Sequence, residues 1–365
     1  MDPFGGCGTT LVEAKLNGRN SISLDVDGSA VLIAKAKKDA IKPTLLKKHN
    51  EALLNRINNN KDKKNYYKDA NLRLKYWFKR NQFNKLYKIY NEIGKESDPK
   101  IRIFYRCCFS NILKNCSIWL SKSIKPQRDL NKAMADPFKA FIRHLNFMTG
   151  KNSEFYKLIE QSNANEVYSE VKKADARKTG LRAESIDFVV TSPPYATSYE
   201  YADIHQLSLL WFGMVNILSE AKKSYIGSTS KNSNLDKNFY SSITAKEIIK
   251  NLERHNARLA GRMCAYFLDL EKSLKEIHRV LKRSKCACII IGDTEYRGVK
   301  IKNTEISIEL LKTIGFKIER VIKRKISSKT FTPYRDITGR FSEDKVHGRR
   351  DIYPYEYIIV AKKVI

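Results

Sequence analysis

The sequence lacks the long apolar runs of a membrane protein. Over 365 residues it has no stretch of about 18 consecutive apolar residues, the length at which a helix can span a bilayer. The opening MDPFGGCGTT is not typical of a signal peptide. We therefore expect a globular protein, and the length suffices for one large domain or two ordinary ones.

The cysteines lack the spacing of a metal site or a redox motif. No CxxC pair occurs, and no histidine lies beside a cysteine at zinc-site spacing. An odd, scattered set is typical of reduced and mostly buried thiols in a cytoplasm. We expect no bound metal. The seven cysteines are Cys7, Cys107, Cys108, Cys116, Cys264, Cys286 and Cys288.

Acidic residues are scarce relative to basic ones. The chain has 39 Asp and Glu against 69 Lys and Arg, a formal net charge of +30 and a pI of about 9.7. Such an excess attracts polyanions, because phosphate neutralisation supplies most non-specific affinity for nucleic acids. The alternative is a lysine-, asparagine- and isoleucine-rich composition that reflects an AT-rich genome.

Three regions differ in character. Residues 1–42 predict a glycine-rich loop followed by a helix, a strand and a second helix, at Leu11–Leu16, Ser21–Leu24 and Ala30–Lys38. Residues 43–164 are rich in lysine and asparagine and have helical periodicity. From residue 165 to the end, strand-like apolar runs alternate with amphipathic helices, which predicts an α/β fold with a doubly wound sheet.

The strands of the last region are predicted from short apolar runs. Between the first two runs, Phe267, Leu270, Leu274, Ile277 and Leu281 recur at three- and four-residue steps and predict one face of a helix. The final two runs have no helix between them, so we expect a closing antiparallel pair. The predicted strands are Ile186–Val190, Ala287–Ile291, Ile318–Lys323 and Tyr357–Ala361.

The first motif is DPFGGCGTT, at residues 2–10. Gly5, Gly6 and Gly8 allow the backbone to turn tightly and to approach a ligand without an intervening Cβ. The motif is not a phosphate-binding loop, because no Lys-Ser/Thr pair follows the glycines. Asp25 ends the next strand, where an acid binds ribose hydroxyls in dinucleotide folds. A dinucleotide or S-adenosylmethionine would fit these features alone.

The second motif, Thr191-Ser192-Pro193-Pro194-Tyr195, follows an apolar strand directly. The prolines fix the backbone and donate no hydrogen bond, so the Pro193 carbonyl can accept one. Ser192 adds a hydroxyl acceptor, and Tyr195 adds a ring for stacking. Two acceptors on the N–H groups of an exocyclic amine would aim its lone pair at a methyl donor. An ordinary Pro-Pro loop is the alternative.

Together the two motifs resemble those of the amino-methylating DNA methyltransferases, which act on cytosine N4 or adenine N6 with S-adenosylmethionine. The resemblance implies a Rossmann-like class I methyltransferase sheet carried by residues 1–42 and 165–365. It implies that Ser192, Pro193, Pro194 and Tyr195 are catalytic. It also implies a cofactor site, in which Asp25 binds the ribose, Asp175 binds the adenine, and the methionine end is bound by Asp2, Phe4, Gly5, Gly6, Gly8, Thr9 and Thr10.

One departure from the family concerns the start of the chain. In the family a strand precedes the glycine motif, whereas here Met1 stands immediately before it. We therefore expect the first strand of the sheet to be absent. We also expect cofactor binding to require a longer start or a complementing N-terminal polypeptide. A cognate restriction endonuclease is a further expected partner.

The basic region at 43–164 resembles a target-recognition insert that contacts double-stranded DNA. Its lysines and arginines suit phosphates and its aromatic residues can stack on bases, although helical spacing also suits a core. A second basic stretch, Thr338–Arg350, is either a phosphate contact or a solvated loop. The interleaved residues of the insert are Lys63, Lys64, Tyr66, Tyr67, Lys68, Arg73, Lys75, Tyr76, Trp77, Phe78, Lys79 and Arg80.

Several alternatives remain open at the level of sequence. The Ser form of the second motif favours cytosine N4 over adenine N6. Methylation of an amino group in RNA, and an inactive DNA-binding remnant, are the other two interpretations. Methylation at carbon 5 of cytosine is excluded, because the chain has no Pro-Cys motif. We expect His205 to be a packed or hydrogen-bonded residue rather than a catalytic base.

Overall fold

The computed structural model describes residues 1–196, 200–228, 242–296, 298–326, 334–335, 350–351 and 355–364. None of the helices in these ranges is long and apolar enough to cross a membrane. Residues 338–349 of the predicted basic stretch lie outside the described residues. In chain order the helices and strands are α1 Thr9–Leu16, β1 Ser21–Asp25, α2 Gly28–Lys37, α3 Pro43–Asn59, η1 Tyr66–Asp69, α4 Leu72–Trp77, α5 Arg80–Gly94, α6 Pro99–Ile112, α7 Pro137–Gln161, β2 Ser169–Lys173, β3 Ile186–Thr191, α8 Tyr201–Ile204, α9 Gln206–Trp211, α10 Leu218–Ser224, α11 Ile243–His255, α12 Ala257–Val280, β4 Leu281–Ile291, β5 Thr294–Tyr296, β6 Val299–Ile301, α13 Asn303–Ile314, β7 Phe316–Lys325, β8 Tyr334–Arg335, β9 Arg350–Asp351 and β10 Tyr355–Lys363.

The chain divides into two compact units. The first unit comprises Met1–Phe4, Ala174–Tyr199 and Lys222–Ile365, and the second comprises Gly5–Lys173 and Glu200–Ala221. The α/β class is confirmed. The proposed division into a methyltransferase part and an insert at 43–164 stays a prediction.

The first unit contains a four-stranded sheet in the order β3-β4-β10-β7. Strands β3 and β4 are parallel, and β10 runs antiparallel to both of its neighbours, with Ile359 opposite Ile289 on one side and Val321 on the other. The four predicted strands of this region and the closing antiparallel pair are therefore confirmed. Their apolar runs place Val189, Ile289 and Ile359 in the buried core.

The edge of β3 opposite β4 lies against the first residue of the chain. The Met1 nitrogen donates to the Phe188 carbonyl at 2.8 Å, and the Val190 amide donates to the Met1 carbonyl at 3.1 Å. Within the described ranges, no strand pairs with this edge of β3. The backbone at Met1 therefore lies along β3 and continues directly into the first motif.

The second unit contains a parallel pair of strands, β1 and β2, in register from Ser21 opposite Ser169 to Asp25 opposite Lys173. Helices α1 and α2 flank β1 in the chain, and Leu11, Val31, Ala34 and Val171 form a small core. The sequence pattern does not predict β2, because its segment SEVKK contains one apolar residue and two lysines. Pairing with β1, rather than an apolar pattern, makes it a strand.

The predicted helical character of the insert is confirmed by α3 to α7. Their apolar residues recur at three- and four-residue steps, as Phe83, Leu86, Ile89 and Ile93 do in α5, and meet in one core. Helix α9 contributes to this core as well. Its contributing residues are Leu207, Leu210 and Trp211.

Candidate active site

The glycine loop of the second unit closes against the end of β1. The Gly5 amide donates to the Leu24 carbonyl at 2.8 Å, and the Gly8 amide donates to the Gly5 carbonyl at 2.8 Å. A Cβ at Gly5 would lie 1.9 Å from the Ser23 Oγ, so a larger residue does not fit. Gly8 has a φ of 81° and is the N-cap of α1, which begins at Thr9. The loop is therefore a bare backbone cradle in front of a helix N-terminus.

Asp25 ties this loop to the carboxyl end of β1. Its carboxylate accepts from the Gly6 amide at 2.8 Å and from the Asp27 amide at 2.8 Å. These two bonds hold the carboxylate beside the glycine loop, at the carboxyl end of β1. The cradle and this acid fit the ribose and the methionine end of S-adenosylmethionine.

His205 is linked to the same strand end through a second acid, Asp27. The Asp27 carboxylate accepts from the Ser29 and Ala30 amides and so caps α2, and its other oxygen lies 2.6 Å from Nδ1 of His205. Burial disfavours the charged imidazolium, but the hydrogen bond and charge of Asp27, with the charge of Asp25, raise the pKa of His205. As expected, His205 is a hydrogen-bonded residue.

Asp2 lies in the first unit, beside β3. Its buried carboxylate accepts from the Thr191 hydroxyl at 2.6 Å and from the Phe4 amide at 3.0 Å. Thr191 is the last residue of β3 and the first of the second motif. The acid that opens the first motif is therefore hydrogen-bonded to the residue that ends β3 and opens the second motif.

The Pro-Pro turn leaves β3 at its carboxyl end, where doubly wound folds place their chemistry. Ser192 is exposed and Pro193 is buried. The Pro194 carbonyl accepts a 2.9 Å hydrogen bond from the hydroxyl of Tyr266, a fully buried residue of α12. Burial raises the pKa of Tyr266, so this hydroxyl stays a neutral donor. The hydrogen bond from Tyr266 therefore anchors the turn at Pro194.

The ring of Tyr195 is positioned from two sides. A Cβ at Gly292, just beyond β4, would lie 3.0 Å from Cε2 of this ring. The Tyr195 hydroxyl donates to Glu356 at 3.3 Å, and Glu356 in turn accepts from Nε of Arg324 at 2.7 Å. Gly292, Glu356 and Arg324, each near the end of a strand, therefore position the Tyr195 ring. This is the ring that is predicted from the sequence to stack on a base.

Asp175 has its carboxylate engaged by Arg177. The Arg177 guanidinium donates to both Asp175 oxygens, at 2.9 Å and 2.5 Å, and also reaches Asp269 of α12 at 2.7 Å. These hydrogen bonds raise the pKa of Arg177, so it stays charged. A role for Asp175 at the cofactor adenine stays a prediction, and any such contact would be made by a carboxylate already shared with Arg177.

Each unit brings some of the predicted residues together. The second unit joins Gly5, Gly6 and Gly8 to Asp25, and the first joins Asp2 to Thr191. Three further residues of the site, Asp27, Tyr266 and Glu356, are not among those predicted from the sequence. Asp27 was detectable, because it precedes Ser29 as a helix-capping residue. Tyr266 and Glu356 carried no signal, because their roles depend on contacts distant in sequence.

Comparisons with known proteins agree with this geometry. Residues 186–363 match the family of N6- and N4-methyltransferases described as DNA methylase. The chain is similar to the Type II methyltransferase M.MvaI of Kocuria varians, with 24% identity over 368 residues that span 94% of this chain and 81% of the relative.

Solved structures with weak overall similarity include two methyltransferases. One is a Thermus thermophilus protein described as a DNA modification methylase, complexed with S-adenosyl-L-methionine, at 16% identity and a TM-score of 0.26. The alignment covers 53% of this chain and about half, 54%, of the Thermus chain. The other is a SAM-dependent methyltransferase of Methanosarcina mazei, at 12% identity, a TM-score of 0.24 and coverage of 59% and 79%.

The sequence matches show that the chain is similar to α/β methyltransferases, in agreement with its sheet and its Pro-Pro turn. Within that class they confirm the resemblance to the S-adenosylmethionine-dependent DNA methyltransferases that modify cytosine N4 or adenine N6.

Proposed function

We propose that the chain transfers a methyl group from S-adenosylmethionine to an exocyclic amine of a base in double-stranded DNA, with cytosine N4 favoured over adenine N6. The observation that carries the proposal is the Tyr266–Pro194 hydrogen bond, which fixes the Pro-Pro turn at the end of β3. With the Pro194 carbonyl engaged, Ser192 Oγ and the Pro193 carbonyl are the turn's acceptors for the amine.

The residues of the turn supply hydrogen bonding and position rather than a covalent bond to the base. Ser192 Oγ and the Pro193 carbonyl each accept a hydrogen bond from one N–H group of the amine. The nitrogen lone pair is then less delocalised into the ring and is directed towards the methyl donor. The same oxygens stabilise the positive charge that develops on nitrogen as the nitrogen–methyl bond forms and the sulfur–methyl bond breaks. The surplus proton on nitrogen then passes to solvent beside the exposed Ser192. Tyr195 stacks on the base, which must leave the duplex at a cost of a few kcal/mol. The cofactor supplies the electrophilic methyl group.

We assign cofactor binding to the first motif, to Asp25 and to Asp175. Gly5, Gly6, Gly8 and Asp25 offer the cradle and the ribose acceptor, on the evidence of their hydrogen bonds and of the space at Gly5. The further residues proposed for the methionine end and the adenine are Asp2, Phe4, Thr9, Thr10 and Asp175.

Methyl transfer from radiolabelled S-adenosylmethionine tests this function. Duplex DNA and transfer RNA are offered in parallel to the full chain and to Ser192→Ala, Pro193→Ala and Tyr195→Ala, each supplemented with a segment that pairs along the edge of β3. We expect transfer to duplex DNA that each substitution abolishes, with a much smaller change in cofactor affinity. Tyr168→Ala, at a tyrosine 56% exposed, is the matched control and should retain activity. Transfer to RNA alone, or near-normal turnover in the three variants, would contradict the proposal.

We propose two further partners. A β-strand supplied by another segment would pair along the edge of β3 that Met1 borders, where Phe188 is 47% exposed. Calorimetry on the 365-residue chain should then show weak cofactor binding, and tight stoichiometric binding would contradict this. The similarity to a Type II methyltransferase supports a cognate restriction endonuclease. Cleavage of host DNA at the sites that the chain protects would identify it.

A further inference from the structure

Two arginines of the second unit lie over one exposed tyrosine ring. The Arg73 guanidinium carbon is 4.8 Å from the centroid of the Tyr76 ring, and that of Arg128 is 4.1 Å from it. Tyr76 is 41% exposed, and both arginines are exposed. Arg73 and Tyr76 belong to α4, whereas Arg128 belongs to the loop before α7. We call Arg73, Tyr76 and Arg128 the Tyr76 patch.

The patch is built on a rigid base. Trp77 is buried, lies edge-on to Tyr76 and stacks on Trp119 with ring centroids 4.9 Å apart. Trp119 forms a backbone bridge with Arg128, so the loop that carries Arg128 is fixed to the same pair of indoles. Both arginines therefore emerge from backbone that the core holds in place.

A buried amide anchors the patch from α9. The Gln206 side-chain oxygen accepts from Nε of Arg73 at 3.0 Å and from the Trp77 indole at 2.8 Å. Gln206 is fully buried, and this pair of bonds orients the Arg73 guanidinium. An arginine whose rotamer is already fixed loses less conformational entropy when it binds a ligand.

The chemistry of the patch favours phosphate over a stacked base. A guanidinium that lies over an aromatic ring keeps its in-plane N–H donors for a bidentate contact with an anion. Both cations already occupy the Tyr76 ring, so a base would have to displace one of them. Two like charges near one ring also repel each other, and an anion bound between them removes that repulsion.

The charge around the patch points to a polyanion. Residues 72–80 contain the four cations Arg73, Lys75, Lys79 and Arg80 and no acidic residue. Residues 119–129 contain Lys122, Lys125 and Arg128 against one acid, Asp129. Such a series of positive charges complements the regular phosphates of a duplex better than it complements one small anion.

We propose that the Tyr76 patch grips backbone phosphates of duplex DNA, with Arg73 and Arg128 as the contacting residues and Tyr76 as their support. This rests on the proposed function, which supplies the DNA, and it assigns to the insert a sequence-independent contact. The aromatic residues of the insert then act as core and support, not as base platforms. Trp77 and Phe78, both buried, fit that role.

Binding of fluorescent duplex DNA, titrated at several salt concentrations, tests the patch in the full chain. Arg73→Gln and Arg128→Gln should each weaken binding and reduce the slope of log affinity against log salt by about 1. Tyr76→Leu keeps the charge and should weaken binding by loosening both arginines. Arg283→Gln, at an exposed arginine of the first unit, is the charge-matched control and should leave the slope close to wild type.

The outcomes separate the patch from the proposed function. Because Arg73→Gln also removes a bond to Gln206, Arg73→Lys and a thermal melt of each variant check that the chain stays folded. Unchanged salt slopes in folded Arg73→Gln and Arg128→Gln would overturn the proposal, as would tighter binding of single-stranded RNA than of duplex DNA. Reduced slopes in a chain that transfers no methyl group, even when it is supplemented with a segment that pairs along β3, would support the patch while contradicting the proposed function.

Discussion

Tyr266 donates its phenolic hydroxyl to the carbonyl of Pro194 over 2.9 Å. The donor lies on α12 and the acceptor in the turn after β3, so one hydrogen bond joins a buried helix to the proposed catalytic turn. A proline cannot donate a backbone hydrogen bond, and two in succession leave a turn with few ways to be anchored. The buried tyrosine supplies that anchor.

Tyr266→Phe should remove this anchor while it preserves the packing of the ring. We expect a loss of about 1 kcal/mol in the free energy of unfolding, the usual net value of one hydrogen bond. We also expect a lower kcat with unchanged cofactor affinity, measured by denaturant unfolding and steady-state kinetics. The control is Tyr105→Phe, which removes a different buried bond, to Asn50. It should cost similar stability, and a matching fall in kcat there would refute the special role of Tyr266.

Gly292→Ala should disturb the stacking ring directly. The added Cβ would meet Cε2 of Tyr195 at 3.0 Å, closer than nearly all observed contacts, so the ring must shift. We predict a higher KM for DNA and a lower kcat, with unchanged cofactor binding. Gly150→Ala is the matched control, because its Cβ would meet no atom within 4 Å. Equal kinetics in the two variants would show that the Tyr195 position is not critical.

Gly5→Ala should open the glycine loop, because its Cβ would lie 1.9 Å from Ser23 Oγ. Calorimetry with S-adenosylmethionine should detect a large loss of affinity. The double variant Gly5→Ala with Ser23→Ala removes the closest atom and leaves a 3.1 Å contact to the Ser23 Cβ. We expect it to recover part of the affinity, with Ser23→Ala alone as the control. Full affinity in Gly5→Ala would mean that this loop does not hold the cofactor.

The His205–Asp27 pair should make stability depend on pH. Because the pKa of His205 is raised in the folded chain, the pair's stabilisation is complete below the unfolded pKa of about 6.5. It is then lost as the pH rises through the folded pKa. Denaturant unfolding of wild type and His205→Gln across this range should give a difference that shrinks with rising pH. A difference that is constant, or that grows, would contradict the ion pair.

The control for the pH experiment is His144→Gln. Burial lowers the pKa of His144, so its contribution to stability changes with pH in the opposite direction to that of His205. Its neutral form is the one that the fold favours, and its effect on stability should therefore be largest at high pH. Opposite trends in the two variants would show that the charge state of each imidazole, rather than lost packing, is being measured.

The sequence predicted the strands that are buried and apolar, such as β3, β4 and β10, because their pattern is local. It could not predict β2, whose polar segment becomes a strand only beside β1. The residues of the candidate site were likewise predictable from the sequence, because the residues within each of the two motifs are contiguous. The groups that hold the turn came from elsewhere in the chain, with Tyr266 72 residues from Pro194 and Glu356 161 residues from Tyr195. No local pattern records such contacts.

The most direct test of the central claim is the identity of the methylated base. Duplex DNA incubated with the chain and S-adenosylmethionine, supplemented if necessary with a segment that completes the sheet, is digested to nucleosides and analysed by mass spectrometry. The account predicts N4-methylcytosine, formed by wild type and not by Ser192→Ala. N6-methyladenine would keep the mechanism and correct the base. Methylation at carbon 5, or product from Ser192→Ala at the wild-type rate, would contradict the account.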